Sequence, residues 1–301
     1  MTAAIGEDTR NGPPPERPRR ARELQDPLNH YLYHPLAWQL ARRLARTPLT
    51  PNMVSVIGAF FVIGAAAVYA QPWWPVSALV GLVLHMTWHV IDGADGDLAR
   101  ITGKCSPTGE MVDGLCDYLS HIVLYFVLGW LLQQQIGMAA WAIMAVAGLS
   151  HIVQSNHVEV QRRQYQWWVY GTPWLRNTHE AGSETAKSGA GALVSFYLRL
   201  ASGMTPHALK IDAAVEAAMA RNPAALEPIR AAVRAEAPPL LFLCKLLGPN
   251  PRAIVLGLSM LAGSPLYYFI YQAVLLNVLL VVSVLSHNAA ASRLAGKLGL
   301  D

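Results

Sequence analysis

Apolar runs long enough to cross a bilayer occupy residues 53–70, 76–91, 118–132, 138–153 and 253–286. A spanning helix needs about 20 mostly apolar residues. The last run holds two such lengths, with Gly263-Ser264-Pro265 as the natural break. The expectation is therefore an all-α, polytopic membrane helix bundle of about six transmembrane helices. The fifth span is the least sharply bounded, because Pro249, Pro251 and Arg252 crowd its start. Composition agrees: 53% of the chain is hydrophobic and 14% charged, where a soluble domain is about 25% charged. The first 50 residues contain no apolar core of a signal peptide, so none is expected to be cleaved. Cys105, Cys116 and Cys244 are odd in number and widely spaced, and read as packing residues rather than a disulfide or zinc framework.

Charge sets the expected orientation. Arg10, Arg17, Arg19, Arg20, Arg22, Arg42, Arg43 and Arg46 precede the first span. The next loop, 71–75, and the one at 133–137 carry no charge. The loop with Arg100 and Lys104, the stretch with Arg162 and Arg163, and the tail with Arg293 and Lys297 are basic again. The positive-inside rule then puts both termini and the basic loops in the cytosol. Trp73 and Trp74 suit the opposite interface as an aromatic belt.

Residues 1–24 read as a disordered, Pro- and Arg-rich tail. Residues 25–47 read as an amphipathic helix broken near Pro35, lying on the inner leaflet with its arginines toward anionic headgroups. The basic charge is thus assigned to the lipid bilayer, and no nucleic-acid partner is expected. Residues 48–301 form the membrane domain, with a polar cytosolic insertion at about 161–250. Within it 178–192 reads as loop, and Pro223 and Pro228 split an Ala-rich pattern into short helices.

Five aspartates, Asp92, Asp95, Asp97, Asp113 and Asp117, fall between spans two and three. If span two continues as helix to about Arg100 and span three begins near Gly109, Asp92 and Asp95 are i,i+3 and Asp113 and Asp117 are i,i+4. Each pair then lies on one helical face, and the short connection makes the two helices antiparallel neighbours. Four bare carboxylates would repel one another. An all-oxygen set suits hard divalent cations, Mg2+ or Mn2+, and four carboxylates suit two such ions acting on a phosphoryl displacement. Carboxylates in the membrane are in any case a functional-site signal. Asp97, two residues from Asp95, points off that face and reads as a solvated charge. Gly93, Gly96 and Gly109 are costly within a helix, about 1 kcal/mol each relative to Ala, and make sense where a ligand or a second backbone comes close. Arg100 is placed to hold a phosphate.

The spacing Asp92-x2-Asp95-Gly96-x2-Ala99-Arg100-x8-Gly109-x3-Asp113-x3-Asp117 resembles the signature of the CDP-alcohol phosphatidyltransferase family at all eight fixed positions. The resemblance implies an integral membrane transferase of phospholipid biosynthesis in which one alcohol's hydroxyl displaces CMP from a CDP-linked alcohol. It implies that Asp92, Asp95, Asp113 and Asp117 hold two divalent ions, with Asp117 as the base. It further implies that Gly96, Ala99, Arg100, Gly109 and Ser106, with Asn52 and Ser55 from the start of span one, bind the CDP-alcohol.

The motif does not separate CDP-diacylglycerol users from CDP-aminoalcohol users. Arg162 and Arg163, with Lys104 and Arg252 approaching, resemble the basic pocket of relatives that take a phosphorylated acceptor. That favours CDP-diacylglycerol with a polar acceptor such as inositol phosphate or glycerol phosphate. The competing reading of these cations is positive-inside charge alone, and the alternative chemistry is a choline- or ethanolamine-type transfer to a lipid alcohol. His85, His89, His121 and His157 read as packing residues. A divalent-cation transporter is the alternative from another class. It would call for polar groups deep in several spans and repeated halves, whereas the acids sit in one hairpin. A homodimer is left open.

Overall fold

The computed structural model describes residues 20–172, 203–221, 224 and 226–300, and no strand occurs among them. Most of the expected tail, the 178–192 loop and Pro223 lie outside these residues. Among the described residues five helices are long and apolar enough to cross a membrane, in keeping with an integral membrane bundle.

A π-helical turn, Asn29–Tyr33, runs straight into α1 (His34–Leu44), so the expected break at Pro35 does not occur. Pro35 falls in the first turn of α1, where a missing N–H costs nothing. The face with Tyr33, Ala37, Trp38 and Ala41 is buried, while Arg42, Arg43 and Arg46 are exposed. Thr50 accepts a hydrogen bond from the Met53 N–H at 3.3 Å and caps α2 (Pro51–Tyr69). Val54, Gly58, Val62, Ala65 and Tyr69 form its buried stripe, which packs on α3 (Val76–Ile101) and α4 (Pro107–Ile136). Small residues permit the close approach. A Cβ at Gly81 would stand 2.5 Å from the Tyr69 ring, and one at Gly93 only 3.0 Å from the Ala37 Cβ of α1.

Helix α5 (Ala139–Tyr170) returns along α4 after Gly137, whose φ of +71° suits only glycine. A Cβ at Gly129 would meet the Met144 Sδ at 2.8 Å, and one at Gly148 would meet the Tyr125 ring. Residues 139–153, where the fourth span is expected, therefore lie beside the apolar half of α4. This helix is absent from the five apolar ones because its second half is polar. That half continues as helix to Tyr170. Val160, Tyr165, Trp167, Trp168 and Val169 are buried against α6 (Ala208–Arg221), α7 (Leu226–Ala235), α8 (Ala237–Leu246) and the end of the last helix. Pro228 lies in the first turn of α7, where it is tolerated.

The fifth crossing, Leu240–Leu261, joins α8 to α9 (Pro249–Leu261) through Gly248. Gly263, with φ +85°, makes the expected break. The sixth crossing runs through α10 (Leu266–Ile270), a π turn Tyr271–Leu275, and α11 (Leu276–Lys297). At its end Lys297 and Arg293 hold Glu236 at 2.8 and 3.2 Å. Of the cysteines only Cys244 is buried, so the packing role fails for the exposed Cys105.

Two outcomes test this packing. Gly93→Leu should lower stability in detergent by about 1–3 kcal/mol through forcing α1 off α3; an unchanged thermal midpoint would dismiss the contact. Lys297 and Arg293 hold the Glu236 carboxyl below its ordinary 4.5. A group with a depressed folded value stabilises above its unfolded value and loses that contribution as pH falls through the folded one. Glu236→Gln should therefore cost under about 1 kcal/mol at pH 7, since its partners are half exposed, and nothing once the pH falls below that depressed value. A deficit that persists in acid would disprove the charge pairing.

Candidate active site

Helix α3 is 26 residues long, about 39 Å at 1.5 Å per residue. A hydrocarbon core is about 30 Å thick. Its last turns, with the aspartates, therefore lie toward one face of such a core rather than at its centre. The first turns of α4 begin on the same side, where the Ser106 hydroxyl accepts from the Gly109 N–H at 3.0 Å and caps the helix.

The two acidic faces meet. One carboxylate oxygen from each of Asp92, Asp95 and Asp113 lies within 4.8 Å of the others. Asp117 stands within hydrogen-bonding reach of Asp92, and Asp113 within that of Asp95. The donors that reach the cluster are neutral. Ser55 Oγ donates to Asp95 Oδ2 at 2.7 Å, and Trp88 Nε1 donates to Asp117 Oδ1 at 3.1 Å. Hard oxygens converging from two rigid helices, with neutral hydrogen-bond donors around them, fit a divalent cation.

Beside the carboxylates, a Cβ at Gly109 would lie 3.2 Å from Ser106 Oγ and 3.5 Å from Asn52 Oδ1. Asn52, Ser106 and Gly109 thus share one surface. The Arg100 guanidinium folds back over Gly96, 3.7 Å from where a Cβ would sit. Ala99 is half-buried one residue before it.

Other expectations need correction. Asp97 is not solvated: it is 2% exposed and accepts from Arg20 Nη2 at 2.6 Å and Arg100 Nη1 at 2.8 Å. Gly93 makes room for Ala37 of α1 rather than for a ligand. Arg162 and Arg163 both turn to Glu159 on their own helix, at 2.8 and 2.6 Å. Arg252 is 5% exposed and bonds Ser155 Oγ at 2.7 Å and Gln154 Oε1 at 3.2 Å. Lys104 is exposed in the loop. These four cations form no common pocket. His85, His89 and His157 are buried in the core, as expected; the first two, with His121, surround Trp88. Trp88 was legible in principle, one turn before Asp92 on the same face. Arg20 was not, because it belongs to a segment that reads as tail. Residues 20–24 are in fact packed, with Arg22–Leu24 forming a short 3-10 turn.

The family model for CDP-alcohol phosphatidyltransferase matches residues 48–201. Among curated proteins, the chain is 29% identical over 116 residues to ethanolaminephosphotransferase 1 of Pongo abelii, covering 34% of this chain and 28% of that one. It is 29% identical over 87 residues to cholinephosphotransferase 1 of Mus musculus, covering 29% and 21%. The chain thus spans between a fifth and a third of the length of these relatives.

The carboxylate cluster can be tested without turnover. Mn2+ at about 100 times its Kd should stabilise the protein by about 2.7 kcal/mol. Asp95→Asn should lose most of that thermal shift. A shift of wild-type size in the variant would remove Asp95 from the ligand set.

Proposed function

The chain belongs to the CDP-alcohol phosphatidyltransferase family, and from that premise we propose that it transfers the phosphate-linked group of a CDP-alcohol to a second alcohol's hydroxyl, releasing CMP. The observation that carries this reading is the convergence of Asp92, Asp95, Asp113 and Asp117 next to Asn52, Ser106 and Gly109.

Asp92, Asp95, Asp113 and Asp117 would hold divalent cations, Mg2+ or Mn2+, which when bound offset the charge of the diphosphate and of the departing CMP. The other steps belong to side chains of this chain. Asn52, Ser55, Gly96, Ala99, Arg100, Ser106 and Gly109 line the donor site. Trp88 fixes one oxygen of Asp117 with its N–H, which leaves the other oxygen to take the acceptor's hydroxyl proton. The freed oxygen forms a bond to the phosphorus that carries the alcohol. The bridging P–O bond breaks, and its electron pair leaves with CMP. The basic residues Arg42, Arg43, Lys104 and Lys297 support a cytoplasmic site by the positive-inside rule.

For the alcohols, CDP-diacylglycerol with a polar acceptor is the first reading. Arg252 supports it: its Nε has no hydrogen-bond partner and its bonded groups are neutral. A phosphorylated acceptor would supply the missing charge. Transfer from a CDP-aminoalcohol to a lipid alcohol is the second reading, favoured by the names of the two curated relatives and by the Glu159 pairing of Arg162 and Arg163.

Purified protein with Mn2+ is given CDP-diacylglycerol or CDP-choline and a panel of acceptors, and CMP is measured. Acceptor-dependent CMP release from at least one pair is expected, and none from any pair would end the transferase reading. Asp117→Asn should cut kcat by at least about 100-fold while the donor still binds. Near-normal turnover would reassign the base.

A further inference from the structure

The N-terminal segment 20–26 is held down at several independent points. Gln25 Nε2 donates to the Arg20 carbonyl at 2.8 Å, and Gln25 Oε1 pairs with His34 Nδ1 at 2.9 Å. Glu23 accepts from the Tyr165 and Tyr170 hydroxyls at 3.2 and 2.5 Å. Burial acts to raise the Glu23 pKa, but these hydroxyls, a backbone hydrogen bond and the Arg234 charge together keep the carboxyl below its ordinary value. Asn250 Nδ2 donates to both oxygens of Asp26 at 2.9 Å. The segment is a strap from α1 to α5 and α9, and at its end stands Arg20.

Arg20 and Arg100 both reach the same oxygen of the buried Asp97. One carboxylate balances only one of two guanidinium charges. Arg100 itself folds back over Gly96, the neighbour of Asp95 in the acidic cluster. With divalent cations bound, the four aspartates no longer need that positive charge. The surplus is then free to meet an anion, and the anion of this site is the diphosphate bridge. A guanidinium offers forked donors suited to phosphate oxygens, and a strap fixed beforehand spares the ordering cost of binding. A plain surface ion pair, worth about 0–1 kcal/mol, would give no reason for so many anchors.

We propose that Arg20 is a donor-site residue whose guanidinium, beside that of Arg100, binds the diphosphate of the CDP-alcohol, and that Asp97 is the positioning residue holding both. This rests on the transferase reading for its ligand, but its test does not need turnover. Full-length protein in detergent with Mn2+ is titrated calorimetrically with CDP, with CMP and with Mn2+ alone. Arg20→Gln should raise the Kd for CDP about tenfold and that for CMP much less, with Mn2+ affinity unchanged. Arg20→Lys should fall between the two proteins. Asp97→Asn should weaken CDP in the same direction. In turnover, Arg20→Gln should raise the donor KM and leave the acceptor KM unchanged. Wild-type CDP affinity in Arg20→Gln, or an equal loss for CDP, CMP and Mn2+, would overturn the proposal in favour of a merely structural strap. A protein inert toward every donor–acceptor pair, yet binding CDP through Arg20, would sink the transferase reading and leave this one standing.

Discussion

Mutual repulsion among four carboxylates toward one face of a membrane bundle is the constraint on which the rest of the arrangement depends. A single acidic side chain at the centre of a spanning helix costs about 2.5–3.5 kcal/mol on insertion scales, and four side by side add repulsion. Length lowers the cost. Helices α3 and α4, at 26 and 30 residues, overshoot a core of about 30 Å. Their surplus length lets the acid-bearing turns lie toward one face of the membrane rather than at its centre. The Ser106 cap and the short loop turn the chain back, and α2, packed on both α3 and α4, brings the two acidic faces together there. Neutral donors from α2 and α3, Ser55 and Trp88, orient the carboxylates without cancelling their charge. The cluster therefore keeps its attraction for a cation.

A second polar layer lies between α4, α5, α9 and the last helix. The Tyr125 hydroxyl meets His151 at 2.9 Å, Tyr268 at 3.2 Å and Gln272 at 3.0 Å. Gln154 donates to the Gln272 carbonyl and to Asn277 at 2.9 and 2.8 Å, and accepts from Arg252. The π turn Tyr271–Leu275 changes the backbone pairing locally, so the Gln272 carbonyl can serve as an acceptor for a neighbouring helix. Van der Waals contact alone gives membrane helices little directional preference. Such hydrogen bonds fix their rotation, and here they lock α5 and α9 in the setting from which Tyr165, Tyr170 and Asn250 hold the strap.

Much of this was legible because it is written in local spacing. Apolar run length located the spans, Gly263-Ser264-Pro265 located a break, and i,i+3 and i,i+4 spacing paired the aspartates. What stayed hidden depends on contacts distant in sequence. Asp97 reads as solvated until Arg20, 77 residues away, is brought to it. Gly93 resembles its neighbours Gly96 and Gly109 until Ala37 is seen against it. Arg162 and Arg163 read as a pocket until Glu159, one turn away on the same helix, is seen to pair with both. The aromatic face of the polar half of α5 is covered by helices that come later in the chain.

The separate fates of Asp95 and Asp97 follow from helix geometry. At about 100° per residue, residues two apart point roughly opposite ways. Trp88, Asp92, Asp95 and Ala99 form one stripe of α3, and Asp92 and Asp95 on it meet the acids of α4. Gly93, Asp97 and Arg100 form another stripe, on which Gly93 meets α1 and Asp97 meets the strap. One helix thus presents carboxylates in two directions, one set left without a protein cation and the other neutralised by arginine. The first stripe can recruit a divalent ion because the second is already paired. The residue spacing of α3 therefore separates the acid that anchors a positive group from the acids that attract a metal.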